Sequence, residues 1–476
     1  MKARARLLLL LLVAVLAAMT IGVVPGARAA AVTTLTGELP DGATWKAEVP
    51  GHWNGTLLLY SHGYRFPGSA NPAADVGDPI TGSWLLDHGF AIAGSSYAGT
   101  GWAIDEAIRD QLALLDELRQ RIGQPRTTVA WGHSLGGMIT AGLVQVAPRR
   151  FDGALPMCGV LAGAVGTWNV ALDSLFAFKT LLAPDSGLQI ARISDPLGSF
   201  QLAQQLLASA EATPQGRARL ALVAALGDLP GWTDAAQPEP AEGDLAAMLA
   251  NQIVAIRNLG LPFGFFARAE VEARAGGNPS WNTGVDYARQ LRRSVDRREV
   301  EVLYRQAHLS LGADLRTLAA APRISADRAA VRYLTEHIVY DGDLGRVPVL
   351  TIHTTDDPLV LVEQEQAYAS AVARAGDSAL LRQAFVHRGG HCTFTPAEQI
   401  AALQTLLDRV HGGSWRRVRT DPVALNARAL TLGPQLNVSA PAGTLVPTAP
   451  AYTSFEPAEF LRPFDLAPSR AHGKAA

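Results

Sequence analysis

Cysteine and lysine are both scarce in this chain. Cysteine occurs twice in 476 residues, at Cys158 and Cys392, which permits one disulfide or two thiols and excludes a disulfide framework. Only four of the 41 basic residues are lysine, no basic block is present, and the formal net charge is −2; nothing supports a nucleic-acid partner. No run after Val24 is long and apolar enough to span a bilayer. There is no HExxH motif, and Gly389-Gly390 interrupts the His387-x3-His391 spacing. A helical metal pair is therefore excluded, and neither a metal nor a cofactor is expected.

The N-terminus is the one long apolar stretch. Lys2, Arg4 and Arg6 precede Leu7 to Val24, and Pro25-Gly26 then leads into Ala27-Arg28-Ala29. A basic start, an apolar run and a small-residue A-x-A site read as a cleaved export signal over residues 1–29. The run also reaches the lower limit for a membrane anchor, but the processing site directly behind it favours cleavage and a secreted protein without a stable membrane anchor. No cysteine near that site can take a lipid, and no Arg-Arg pair suggests the twin-arginine route.

Apolar strands then alternate with amphipathic helices, as βαβ units require. Strands are predicted at 43–49, 56–61, 90–97, 129–133 and 151–158, with helices at 79–88, 103–122 and 135–147. From 160 to 346 the pattern contains helical stretches alone, around 168–182, 199–209, 214–226, 243–258 and 297–311. Strand and helix resume with Val347 to His353, 361–375, 379–387 and 396–411. The last segment, 413–476, has scattered proline and no clear period, and is expected to run as an extended tail.

The most informative motif is Val129-Ala-Trp-Gly-His-Ser-Leu-Gly-Gly-Met138. It reads as a strand, a Gly-x-Ser-x-Gly turn and a helix beginning on the turn. Ser134 then sits on a tight strand-to-helix bend with its hydroxyl lifted clear, and the Leu135 N–H lies at a helix N-terminus where it can face a developing oxyanion. This serine elbow, followed by a helical insertion between two halves of one sheet, resembles the α/β-hydrolase fold with a helical cap. The resemblance covers 43–159 and 347–411 by motif, and within the superfamily it points to secreted bacterial serine hydrolases of the esterase, amidase and peptidase kind. It implies a mostly parallel sheet flanked by helices, with the cap inserted between the sixth and seventh core strands. The expected organisation is a signal at 1–29, core at 30–159, cap at 160–346, core at 347–412 and tail at 413–476.

The same resemblance implies where the partners of Ser134 lie. The superfamily order is Ser, Asp, His, and Thr354-Thr355-Asp356-Asp357-Pro358-Leu359-Val360 supplies the acid. Asp357, just ahead of the apolar run, matches, with Asp356 as the alternative; either can also be a helix cap. His391, after the last predicted strand, is the implied base, with His387 as runner-up. His62 and His133 are read as structural. The N–H of Tyr64, in His62-Gly63-Tyr64, is the implied second oxyanion donor beside Leu135. The side chain of Tyr64 and the loop from Tyr97 to Trp102 are candidates for lining an acyl pocket. In this fold Cys158 and Cys392 fall along one edge of the sheet, and export favours their pairing. His391-Cys392 is similar to the tannase and feruloyl-esterase group, where a cysteine beside the histidine bridges to one beside the serine; here His133 precedes Ser134.

The expected activity is hydrolysis of a small-molecule or polymeric carboxylic ester through an acyl-enzyme. An amidase or peptidase, an exported acyltransferase, and a non-catalytic binding protein on the same fold are the alternatives. Phe263-Gly-Phe265-Phe266 is the densest aromatic group of the presumed cap and fits either an acyl pocket or the cap's own core.

Overall fold

Successive residues of a strand face opposite sides of its sheet, and here both sides are apolar. A computed structural model describes residues 31–439 and 444–464; the expected export signal lies outside the described residues. Eight strands make the body of one sheet: β1 (Val32–Glu38), β2 (Thr44–Pro50), β3 (Thr56–Ser61), β4 (Ala91–Ser95), β5 (Thr127–His133), β6 (Gly153–Met157), β7 (Val349–Asp356) and β8 (Leu381–Gly389). Their order is β1-β2-β4-β3-β5-β6-β7-β8. The pairs β1–β2 and β2–β4 are antiparallel, and every pair from β4 to β8 is parallel. This is the α/β-hydrolase fold.

The alternation sorts the core into two layers. Leu57, Leu59 and Ala130 pack with α2 (Ile104–Ile122) and α3 (Leu135–Val146) on one face. Leu58, Tyr60, Val129 and Trp131 pack on the other, against α1 (Pro79–Asp87) and residues 402–407. Because parallel strands are covered on both faces, they read as continuous apolar runs, which is why they are visible in the sequence. β1 is the exception. None of its residues is buried, so it carries no hydrophobic alternation and is held by its ladder to β2.

Between β6 and β7 the chain is helical: α4 (Gly163–Leu182), α5 (Pro196–Glu211), α6 (Pro214–Leu226), α7 (Leu245–Ala255), α8 (Arg268–Ala275), α9 (Tyr287–Arg293), α10 (Arg297–Gln306), α11 (Leu311–Ala320) and α12 (Arg328–Glu336). These helices have a core of their own, centred on Phe178, Leu222, Leu226, Phe265 and Tyr304. The stretch predicted at 297–311 ends earlier, at Gln306, and a separate helix starts at Leu311. His308 takes a left-handed φ of 54° and the Ser310 hydroxyl caps α11 through the Ala313 N–H, a stop and a start in three residues. After α7 the chain continues as π-helical turns at Ile256–Gly260 and Phe263–Ala267.

After β7 come α13 (Glu363–Ala375), β8, and α14 (Pro396–Gly412), the last opened by a capping box of Thr395 and Glu398. The segment beyond 412 departs from the expected extended tail. It contains α15 (Pro422–Thr431), capped by Asp421 with proline in the first turn. Tyr452–Thr453 then adds antiparallel to β8 as a ninth strand. Asp421-Pro422 is a helix-start signal, but only Leu425 and Ala429 of this helix are buried, too few to show a period.

Candidate active site

β5 and α3 meet at Ser134. Its backbone is left-handed, with φ 60° and ψ −124°, and its N–H donates to the Met157 carbonyl at 2.9 Å. Holding a serine there needs its neighbours to be glycine. A Cβ on Gly132 would lie 2.5 Å from the Ser61 carbonyl oxygen, and one on Gly136 would overlap that same atom. Strain of this kind is expected where it aims a side chain, and is carried by the surrounding sheet. Gly63 lies directly opposite, so close that a Cβ there would be 3.3 Å from the serine's own.

Two loops at the C-terminal edge of the sheet bring Asp357 and His391 together. His391 Nδ1 and Asp357 Oδ2 are 2.6 Å apart. The other carboxylate oxygen of Asp357 accepts the N–H groups of Leu359 and Val360, each at 2.9 Å, which fixes the carboxylate. Burial pushes this carboxyl up, but the imidazoles of His391 and His353 outweigh that and hold it down at about 2. Asp356 points elsewhere. Its carboxylate accepts from the Thr355 hydroxyl at 2.7 Å, and burial raises its pKa.

Cys158 and Cys392 form a disulfide with a Cα–Cα distance of 5.4 Å. The bridge joins the residue after Met157 to the residue after His391, so it ties the serine turn to the histidine loop. Both cysteines have a positive φ, 43° and 56°. Among the described residues no hydrogen bond joins the Ser134 hydroxyl to His391; the imidazole Nε2 lies 3.4 Å from Cys392 Sγ. Cys158, His391 and Cys392 bring ligand-type atoms within 4.8 Å of one another, but both sulfurs are used in the disulfide and neither is a thiolate.

Cys158→Ser/Cys392→Ser should lower the thermal unfolding midpoint and the turnover together, since the loop carrying His391 loses its tether. The residues are 234 apart in sequence, for which the chain-entropy model puts the upper limit at about 5 kcal/mol. Calorimetry and ester turnover on the same preparation check both effects; an unchanged midpoint would refute the tether.

His353, in contact with Asp357, is a residue of the candidate site that sequence reasoning missed. It is fully buried in β7, with Nδ1 3.1 Å from Glu365 and Nε2 2.8 Å from the Val360 carbonyl and 3.6 Å from Asp357. Glu365 is also held by the Thr351 hydroxyl at 2.6 Å. Burial alone would lower the His353 pKa, but the two carboxylates raise it to about 10. The ring is therefore an imidazolium between two buried anions, and it helps keep Asp357 ionised. The signal was a histidine among the apolar and threonine residues of β7.

This gives a pH prediction with a definite sign. The His353 pKa is raised above an unfolded value of about 6.5, so its stabilisation is complete below that pH and is lost as pH rises towards 10. His353→Gln should unfold well below wild type at pH 7, and the two midpoints should converge as pH approaches 10. Parallel midpoint curves over that range would sink the imidazolium assignment.

The remaining candidates fall into place around this centre. Leu135 opens α3, where first-turn amides have no intrahelical acceptor. The Tyr64 ring lies 5.1 Å from Phe66 and 5.3 Å from Phe263. Phe263 and Trp168 line an apolar cavity of about 130 Å³ between α4, the π-helical turns and the loop Pro358–Leu361. Phe265 is instead buried in the helical insertion's own core, so the aromatic cluster divides between cavity lining and core. Trp102 packs edge-on against Trp168 at 5.3 Å. His62 bonds the carbonyls of Gly63 and Ser96, and His133 the Tyr60 hydroxyl; burial lowers both pKa values to about 4. His387, the runner-up base, has Nε2 3.0 Å from Glu239 and Nδ1 3.3 Å from the Thr355 hydroxyl.

No family model matches the chain. An o-phthalyl amidase of Xanthobacter agilis is 28% identical over 449 residues, covering 88% of this chain and 96% of the relative. Among solved structures, an esterase from Aspergillus oryzae covers 80% of each chain at 15% identity with a TM-score of 0.42. Feruloyl esterase B from the same organism gives the same coverage at 14% identity and a TM-score of 0.40. Among the described residues no helix is long and apolar enough to cross a membrane.

Proposed function

We propose that this chain is a serine hydrolase that cleaves carboxylic esters through an acyl-enzyme. The observation that carries this reading is Ser134, held left-handed on the β5–α3 turn and tied through Met157 and the disulfide to a His391–Asp357 pair. Ser134 Oγ attacks the substrate carbonyl carbon while His391 Nε2 takes the hydroxyl proton. The hydroxyl–imidazole hydrogen bond that this transfer needs forms when substrate arrives. The N–H groups of Leu135 and Tyr64 hold the oxyanion, an interaction whose loss typically costs roughly 10²–10³ in kcat. Collapse of the tetrahedral intermediate expels the alcohol or amine, which receives the proton from His391. Water, deprotonated by the same imidazole, then releases the acid and frees the serine. Asp357 holds the imidazole tautomer and stabilises its charged form.

Residues 160–346 act as the cap that shapes the substrate site, and the cavity lined by Trp168, Phe178, Phe263 and Leu359 accepts an apolar or aryl acyl group. The volume is close to that of an apolar cavity that holds a single benzene ring. Amide cleavage is the second reading, and the relative named an o-phthalyl amidase over nearly its whole length favours it. Residues 1–29 are read as an export signal, with which the disulfide agrees.

A fluorophosphonate probe should label the protein once, on Ser134. Matched aryl and acetyl esters and anilides should then rank aryl over acetyl in kcat/KM. No labelling, together with no turnover of any member, would reduce the chain to a binding protein on this fold.

A further inference from the structure

Beside Asp356, a cavity of about 770 Å³ opens between the loop around Trp232, α7 and α10. Its lining includes the carboxylates of Glu239, Asp296, Glu299 and Asp356 and the indole of Trp232, against one arginine, Arg298. Asp296 and Glu299 are 6% and 2% exposed, and each keeps a carboxylate oxygen without a hydrogen-bond partner. Buried polar groups are normally satisfied, and an orphaned carboxylate oxygen is costly. The cost is compounded here, because Asp228 lies behind the cavity wall with another unpartnered oxygen and Glu363 faces the same group. Burial and the carboxylates of Glu299, Glu363 and Asp356 push the Asp296 pKa well above the ordinary range, and burial takes Glu299 to about 7. Arg298 is the one cationic side chain of the lining, and among the described residues no ion pair joins it to Asp296 or Glu299.

We propose that this cavity binds an organic cation, a ligand carrying protonated amine or guanidinium groups, with Asp296 and Glu299 as its anionic partners and Trp232 offering a ring face. The volume is that of a small-molecule pocket, larger than a bare ion needs. Among the described residues no three carboxylates bring their oxygens within 4.8 Å of one another, whereas calcium takes six to eight oxygens at about 2.3–2.6 Å. A cationic group over an indole gains a further attraction that a neutral ligand of the same shape does not. The site is separate from the acyl cavity, and its occupancy can be read without any catalysis.

Titration calorimetry of the full chain with 1,5-diaminopentane tests this, with 1,5-pentanediol and calcium chloride as the other arms. The diamine should bind saturably at one site, the diol should give no binding, and calcium should not compete. Asp296→Asn/Glu299→Gln should weaken diamine binding at least tenfold; the amides are near-isosteric and remove buried like charge, so circular dichroism should match wild type. Should that variant not fold, Trp232→Leu serves instead, with several-fold weakening expected. Diamine and diol binding alike, calcium binding in place of the diamine, or a folded variant with undiminished affinity would each overturn the proposal.

Discussion

Ser134→Ala should lower turnover of every ester or amide that the wild type cleaves by about 10³-fold or more, with the fold intact. Removing the serine nucleophile of a comparable hydrolase costs on the order of 10⁶ in kcat, and the oxyanion donors alone leave a residue of about 10³–10⁴ over water. The structure gives no reason for collateral damage. Alanine has a smaller side chain than serine, the backbone hydrogen bond from residue 134 to Met157 is kept, and the same left-handed φ is required of either residue. The measurement is kcat/KM on an aryl ester beside a thermal melt. Near-normal turnover in a folded variant would remove Ser134 from the mechanism, and with it the acyl-enzyme.

Asp357→Asn should cost about 10⁴-fold in kcat, the scale seen when an orienting carboxylate becomes an amide and the histidine takes the wrong tautomer. Asp357 faces His391 at 2.6 Å and is wholly buried, so no water can substitute for it. It also balances the charge on His353, 3.6 Å away, so the variant should lose stability as well as turnover. Asp356→Asn should cost a neutral ester less than about tenfold, because that carboxylate is bonded to Thr355 on the other side of the strand end. Equal losses in the two variants, or the reverse order, would reassign the acid.

Much of this was legible before any fold was built. The glycines flanking Ser134 are demanded by the closeness of the Ser61 backbone, so a five-residue pattern marked the turn. Capping signals and apolar periods placed most elements of the two core halves. They failed where burial is slight: β1 has no buried residue, and the tail helix has two.

Adjacent residues of a strand face opposite ways, so the sequence could say that Asp356 and Asp357 differ but not which meets the histidine. Asp357 lies just past the end of β7, where the Leu359 and Val360 N–H groups hold its carboxylate against His391. His353 is similar. A histidine in an apolar strand is a flag, but its charge depends on Glu365 arriving from α13 and Asp357 from the strand end. The acidic cavity collects residues from 231 to 356, whose unfavourable proximity exists only once the helices have packed. The sequence by itself determined the local geometry of the serine turn and the order of the elements. Only the tertiary structure decided which polar groups share a buried space, because their ionisation is set by neighbours that are distant along the chain.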